Sequence, residues 1–176
     1  MSGERARALK LMVFDVDGIL SNGLLIYTDE GAEAKTFHTA DGLGIKLLQQ
    51  CGIEVAIITG RRSAIVERRA SELGIEHLVQ GREDKLLALQ ELVGTLGVDL
   101  SEVAYMGDDL PDLAAIRSAG LGLTVADANP FVIDHADWCS QRNGGRGAVR
   151  EAAEWLLEQR GQLDDIRQRY LTGSPA

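Results

Sequence analysis

The chain has 176 residues, 45% of them apolar and 26% charged, with a formal net charge of −9. That length suits one compact domain with a sizeable core, and the apolar share excludes a disordered chain. The acidic balance argues against a nucleic-acid backbone or an anionic membrane as the main partner, while a local cluster of Lys and Arg can still receive an anionic small substrate.

In chain order, residues 1–10 (MSGERARALK) lack the apolar region of a signal peptide. No run approaches the ~18 apolar residues of a membrane span, so the expected location is the cytoplasm. Leu9–Phe14 is an apolar run too brief for a helix. It leads into VFDVDGILSNG, in which Asp15 and Asp17 stand two apart before Gly18. LLIYT and AKTFH flank Asp29–Glu33 and predict a β-hairpin over about 24–38. Leu43–Cys51 has helical spacing, and Ile53–Thr59 is apolar and β-branched, hence a strand. Arg62–Leu73 and Asp84–Leu96 read as amphipathic helices with a short strand between them. Val103–Gly107 is a buried strand, Leu110–Ala119 a helix, Leu121–Ala126 a strand and Arg146–Glu158 a long helix. The end, from about residue 171, reads as a loose tail. The alternation predicts a single α/β domain over 1–176, a doubly wound parallel sheet flanked by helices with the hairpin inserted after the first strand. Cys51 and Cys139 form no CxxC pair and read as reduced, buried thiols. His38, His77 and His135 show no zinc-ligand spacing.

In open parallel sheets the functional crevice lies at the carboxyl ends of the strands. Collected there are Asp15 and Asp17, Thr59-Gly60-Arg61, Asp108 and Asp109, with Asp112 one turn further on, and Lys85 at a helix start. Clustered carboxylates need a cation, and an all-oxygen donor set selects Mg²⁺ over zinc. A lysine and a threonine beside that cation suit phosphate oxygens. Asp15, nearest the strand end, reads as a nucleophile that forms an aspartyl-phosphate. Asp17 reads as the acid that protonates the leaving alkoxide and the base that later activates water. Gly18 permits a sharp turn that also brings the Asp17 backbone to the metal. Each piece has a plainer reading alone: an acidic turn, a strand end, a solvated helix start, a helix cap. Their order and convergence favour the reactive reading.

DVDGIL, IITG, Lys85 and GDDLPD, in that order over residues 11–112, resemble the four motifs of the haloacid dehalogenase phosphatase superfamily. The resemblance implies Asp15 as nucleophile, Asp17 as acid/base, Thr59 and Lys85 on phosphate, and Asp15, Asp17 and Asp108 around Mg²⁺. Asp109 and Asp112 would stand just outside the metal's direct ligands. Relatives often carry a cap domain over the substrate. Here about 41 residues separate Asp17 from Thr59 and about 25 separate Thr59 from Lys85, too few for a cap. An uncovered crevice is wet, which is poor for phosphoryl chemistry. Another subunit is the economical cover, so a closed oligomer contacting through the hairpin is expected.

FHTADGLGIKLL, GIEVAIITGRRSAIVERR, GDDLPD and GGRGAVRE closely resemble the capless 3-deoxy-D-manno-octulosonate 8-phosphate phosphatase family, over nearly the whole chain from Leu11 to Glu158. That resemblance implies a Mg²⁺-dependent homotetramer that releases phosphate from an eight-carbon sugar acid of lipopolysaccharide synthesis. It places substrate contacts on His38, Thr39, Ala40, Asp41, Gly42, Lys46, Arg61, Arg69 and Lys85, besides Asp17. Guanidinium groups pair a substrate carboxylate well. Arg61 and Arg69 share a helix face if that helix begins at Arg61, and an Asp41-Gly42 turn would open a helix whose N-terminus holds an anion. Gly144, Gly145 and Gly147 read as a loop and helix start. Rival readings are a phosphatase of nine-carbon sugar-acid 9-phosphates, a signalling receiver domain, and a binding module without catalysis. The receiver order differs, because its acidic pair comes first and its lysine last.

Overall fold

The computed structural model describes residues 2–173; the last part of the expected tail, residues 174–176, lies outside the described residues. Six parallel strands form one sheet: β1 (Leu11–Phe14), β4 (Glu54–Thr59), β5 (His77–Gln80), β6 (Val103–Met106), β7 (Leu121–Thr124) and β8 (Trp138–Cys139). Their order across it is β5-β4-β1-β6-β7-β8. Two further strands, β2 (Ile26–Tyr27) and β3 (Glu33–Ala34), pair antiparallel as the expected hairpin, shorter than its sequence pattern.

The two faces of the sheet follow from the period-2 alternation of the strands. Met12 and Phe14 of β1 face α2 (Thr39–Gln50), α3 (Ala64–Leu73) and α7 (Ala148–Gln159), with α1 (Ser2–Ala8) and α8 (Leu163–Leu171) on the same side. Leu11 and Val13 face α4 (Lys85–Leu96), α5 (Leu110–Ser118) and α6 (Pro130–Ile133). β1 is therefore buried on both sides, and all four of its residues are apolar. The expected doubly wound architecture is present. The helix α8 runs up to Leu171, and Thr172 and Gly173 form a turn after it.

Three local expectations need correction. α3 begins at Ala64, because Ser63 is extended (φ −153°, ψ 122°). Arg61 thus lies in the loop after β4, and the shared helix face with Arg69 does not exist. α2 begins at Thr39, not near Leu43: the His38 Nδ1 accepts the Ala40 N–H at 3.1 Å and caps the helix. Asp41-Gly42 therefore sits inside the first turn rather than opening it. Both thiols are free, as expected, but only half-buried.

The chain runs outward from β1 to β4 and β5, then crosses to β6, β7 and β8 on the other side. The connection reverses beside β1, and the crevice of such sheets opens at that reversal. β1 and β6 are the neighbours that flank it. No helix among the described residues is long and apolar enough to cross a membrane.

Candidate active site

Each strand bordering that reversal ends in a polar residue. Asp15 follows β1, with its N–H bonded to Met106 O at 3.0 Å. Thr59 closes β4, and Gly107-Asp108 follows β6. The Thr124 hydroxyl at the end of β7 donates to Gly107 O at 2.7 Å and holds the Asp108 loop from the far side. Asp15, Asp17, Thr59, Gly60, Arg61, Glu83, Lys85 and Pro111 line a cavity of about 260 Å³. The sequence-predicted acids, threonine, lysine and first arginine therefore converge.

Lys85 is the hub of this cavity. Only 6% of its side chain is exposed, and its Nζ stands 2.9 Å from Asp15 Oδ1 and 2.6 Å from Asp112 Oδ1. Burial pulls the ammonium pKa down, but the two carboxylates more than reverse that, and the net shift is upward. Asp112 is 1% exposed and fully engaged. Its Oδ1 accepts Lys85 and the Tyr105 hydroxyl (2.9 Å), and its Oδ2 faces the backbone N–H groups of Asp108 (3.2 Å) and Asp109 (3.4 Å). It orders the loop and the lysine. Asp109 caps α5, accepting from Leu110 N at 2.8 Å and from Asn129 Nδ2 at 3.1 Å.

Asp15, Asp108 and Asp112 each place one carboxylate oxygen within 4.8 Å of the others. The Asp17 carboxylate is outside this group; it turns to Ser21 Oγ (3.3 Å) and to Lys35 Nζ (2.5 Å). Burial, and then the neighbouring Asp112, push Asp15 up to about 7. Burial, and then Asp15, push Asp108 up to about 7 as well. Such mutual repulsion among hard oxygen donors fits a divalent cation of the Mg²⁺ type. Gly18 makes room for the Asp108 carboxylate. At φ 95°, a Cβ there would lie 2.0 Å from Asp108 Oδ2.

The acid cluster predicts a linkage between metal and protons. In the metal-free protein, folded Asp15 and Asp108 keep protons between about pH 4 and 7 that the unfolded chain has released. Stability without metal should therefore fall as pH rises through that window. Metal binding must displace those protons, so Mg²⁺ affinity should weaken about 10- to 100-fold from pH 8 to pH 6. Titration calorimetry in two buffers of different ionisation enthalpy measures both the affinity and the released protons. A flat profile would remove these carboxylates as the ligand set.

Of the expected substrate contacts, Asp17, Arg61 and Lys85 line the cavity. The others do not. His38, Asp41, Gly42 and Arg69 border a separate small apolar cavity with Phe37 and Ile45. Asp41 is 2% exposed and accepts from Gly147 N (3.2 Å) and Arg150 N (2.9 Å), so it caps α7. Lys46 Nζ donates to Leu73 O at 2.6 Å. Arg69 lies 5.7 Å over the Phe37 ring. Thr39 and Ala40 belong to the first turn of α2.

Two contributors escaped sequence reading. Gly144 and Gly145 carry the turn at the back of the DVDG loop: a Cβ on Gly144 would be 1.6 Å from Gly18 O. The GG pair in GGRG was the available signal. The hairpin's Lys35 reads only as a polar strand residue, yet it reaches Asp17.

A family model described as haloacid dehalogenase-like hydrolase matches residues 24–120. That span contains Thr59, Lys85, Asp108 and Asp112. The 3-deoxy-D-manno-octulosonate 8-phosphate phosphatase KdsC of Escherichia coli K12 is 45% identical over 163 residues, covering 93% of this chain and 87% of that protein. This chain belongs to the haloacid dehalogenase-like hydrolases and, within them, to that phosphatase family. The crystal structure of the Moraxella catarrhalis member, in complex with magnesium ion, phosphate ion and KDO, superposes with a TM-score of 0.94 at 48% identity. It covers 96% of this chain and 97% of its own. A cobalt-bound member from Haemophilus influenzae gives a TM-score of 0.90 at 38% identity, with 95% of this chain and 99% of that one covered. Family membership agrees with the site, since the residues the motifs predict are the ones the fold brings together.

Proposed function

We propose that this protein is a Mg²⁺-dependent phosphomonoesterase that hydrolyses 3-deoxy-D-manno-octulosonate 8-phosphate to 3-deoxy-D-manno-octulosonate and phosphate, in lipopolysaccharide biosynthesis. The observation that carries it is the buried Asp15–Lys85–Asp112 chain beside Asp108 at the sheet's reversal point. The Moraxella relative's complex with magnesium, phosphate and KDO supports the metal and the substrate.

In this reading an Asp15 oxygen attacks phosphorus and the ester P–O bond breaks. Asp17 gives its proton to the departing sugar oxygen, then takes a proton from the water that cleaves the aspartyl-phosphate. Lys85 and Thr59 hold the phosphoryl oxygens; the buried ammonium is worth most here because little solvent screens it. Asp15 and Asp108, with the Asp17 backbone, would hold the metal, which neutralises charge on the phosphoryl group when bound. Asp112 and Asp109 fix the loop that carries Asp108. Arg61 stands at the mouth, placed to meet the substrate's carboxylate or hydroxyls. His38–Gly42, Lys46 and Arg69 lie outside the chain's own cavity, so they are not assigned to the substrate held in it. The reading includes a single domain, a homotetramer in the cytoplasm, and no nucleic-acid or membrane partner. The hairpin supports the oligomer, for Leu24, Leu25, Ile26 and Tyr27 are all exposed.

Phosphate release from the eight-carbon 8-phosphate, a nine-carbon sugar-acid 9-phosphate and glucose 6-phosphate tests the proposal. The kcat/KM should be at least about tenfold higher for the eight-carbon ester than for either other, since a mismatch at the sugar-acid end forfeits over ~1.4 kcal/mol of transition-state binding. Preference for the nine-carbon ester would reassign the substrate within the same chemistry. Light scattering should give four times the chain mass.

A further inference from the structure

We propose that Lys35 is a positioning residue for Asp17, so that the hairpin sets the geometry of proton transfer; this rests on the acid/base role proposed above for Asp17. The hairpin is otherwise an exposed element, with both β2 residues on the surface. Lys35, one residue past β3, is the exception, because its side chain is 0% exposed. Lysine side chains are almost never fully buried unless paired, since taking an ammonium out of water costs several kcal/mol. Here the partners are Asp17 Oδ1 at 2.5 Å and Glu33 Oε1 at 3.4 Å.

The geometry separates the two oxygens of Asp17. Oδ1 is held by Lys35 and by Ser21 Oγ at 3.3 Å. Oδ2 faces Arg61, whose Nε is 3.9 Å away and which lines the cavity. With Oδ1 held, the carboxylate cannot turn about its own bond, and Oδ2 is the oxygen presented to the leaving group. Without Lys35, one hydroxyl at 3.3 Å would be the remaining hold on Oδ1. The hairpin is itself seated on the site rim at two further points: Tyr27 Oη accepts from Arg61 Nη2 at 2.9 Å, and Glu33 Oε2 accepts from Ser63 Oγ at 3.2 Å. Any displacement of the hairpin therefore displaces the group that aligns Asp17.

Leaving-group dependence distinguishes this role from a merely structural one. The kcat/KM reports steps through expulsion of the leaving group. A sugar alkoxide needs a proton at that moment, whereas p-nitrophenolate does not. With the full chain in saturating Mg²⁺, Lys35→Met should lower kcat/KM about 100-fold for the sugar-acid phosphate, within the range that positioned general acids contribute. For p-nitrophenyl phosphate it should stay within about 3-fold of the parent protein. Glu33→Gln removes the second charge beside Lys35 but keeps an acceptor for Ser63 Oγ and leaves the Lys35–Asp17 pair, so it should stay within about 3-fold on both. Lys35→Leu, which likewise has no donor for Asp17 Oδ1, should show the same substrate split and serves if the methionine variant does not fold. Equal losses on both substrates, or no loss on either, would overturn the proposal. Asp15→Asn in parallel keeps the two readings apart. Its inactivity on both substrates, together with no split at Lys35, would refute the positioning role alone, whereas an active Asp15→Asn would refute the phosphatase mechanism beneath it.

Discussion

Asp15→Asn should reduce Mg²⁺-dependent phosphate release by at least about 10³-fold and leave the fold intact. The loss is large because no neighbour can substitute. Asp17 points to Lys35, and both oxygens of Asp112 already face two donors each. An amide is a poor nucleophile and cannot form the acyl phosphate. Stability should move the other way. Burial and Asp112 disfavour the charged form of Asp15, so a neutral side chain of the same shape relieves a cost that grows as pH rises toward 8. The metal-free variant should therefore melt no lower than the parent protein at pH 8. Coupled phosphate assay and thermal melts check both halves. Residual turnover within tenfold of the parent would remove Asp15 as nucleophile.

Lys85→Met should damage both activity and stability. The substitution removes the cation between two buried carboxylates, 2.9 Å and 2.6 Å from its Nζ, and leaves them to repel each other. Breaking a buried pair from one side costs about 3–5 kcal/mol. The sign with pH follows from the acids. Lys85 lowers the Asp15 pKa, so without the ammonium that carboxyl holds its proton to higher pH in the folded state. The destabilisation should thus be largest near pH 8 and shrink toward pH 6, as Asp15 protonates. Activity should fall about 10²- to 10³-fold, the range found for loss of one preorganised donor to a charged transition state. Saturating Mg²⁺ should recover part of the melting temperature, because it supplies positive charge to the same carboxylates, but not the turnover. Equal melting temperatures for variant and parent at pH 8 would contradict the hub role of this lysine.

Much of this site is legible along the chain because its parts are local. Asp15 and Asp17 follow a run of four buried apolar residues, so they must emerge at a strand end. Thr59 and Asp108 stand at the ends of similar runs. A parallel sheet carries all such ends to one edge, so convergence follows from strand type alone. Asp41 shows the opposite case. Its place in FHTADG suggests a substrate loop, but its carboxylate caps a helix 106 residues further along. No local pattern reports a partner at that distance. Arg61 and Arg69 failed as a helical pair because an extended Ser63, rather than the arginines, sets where α3 starts.

Apolar runs and the residues that end them were enough to establish the sheet, the order of the motifs and the oxygen-only donor set. Each rests on the two- or four-residue periodicities by which a backbone buries side chains. Tertiary structure decided how charge is shared. It set which acids Lys85 neutralises, the fully engaged state of Asp112, and the separation of Arg69 from the cavity that holds Arg61. It also brought Lys35 from the hairpin to the oxygen of Asp17. These interactions join groups distant in the chain, and in a buried site their energies depend on distances and solvent exclusion that exist only once the chain has folded.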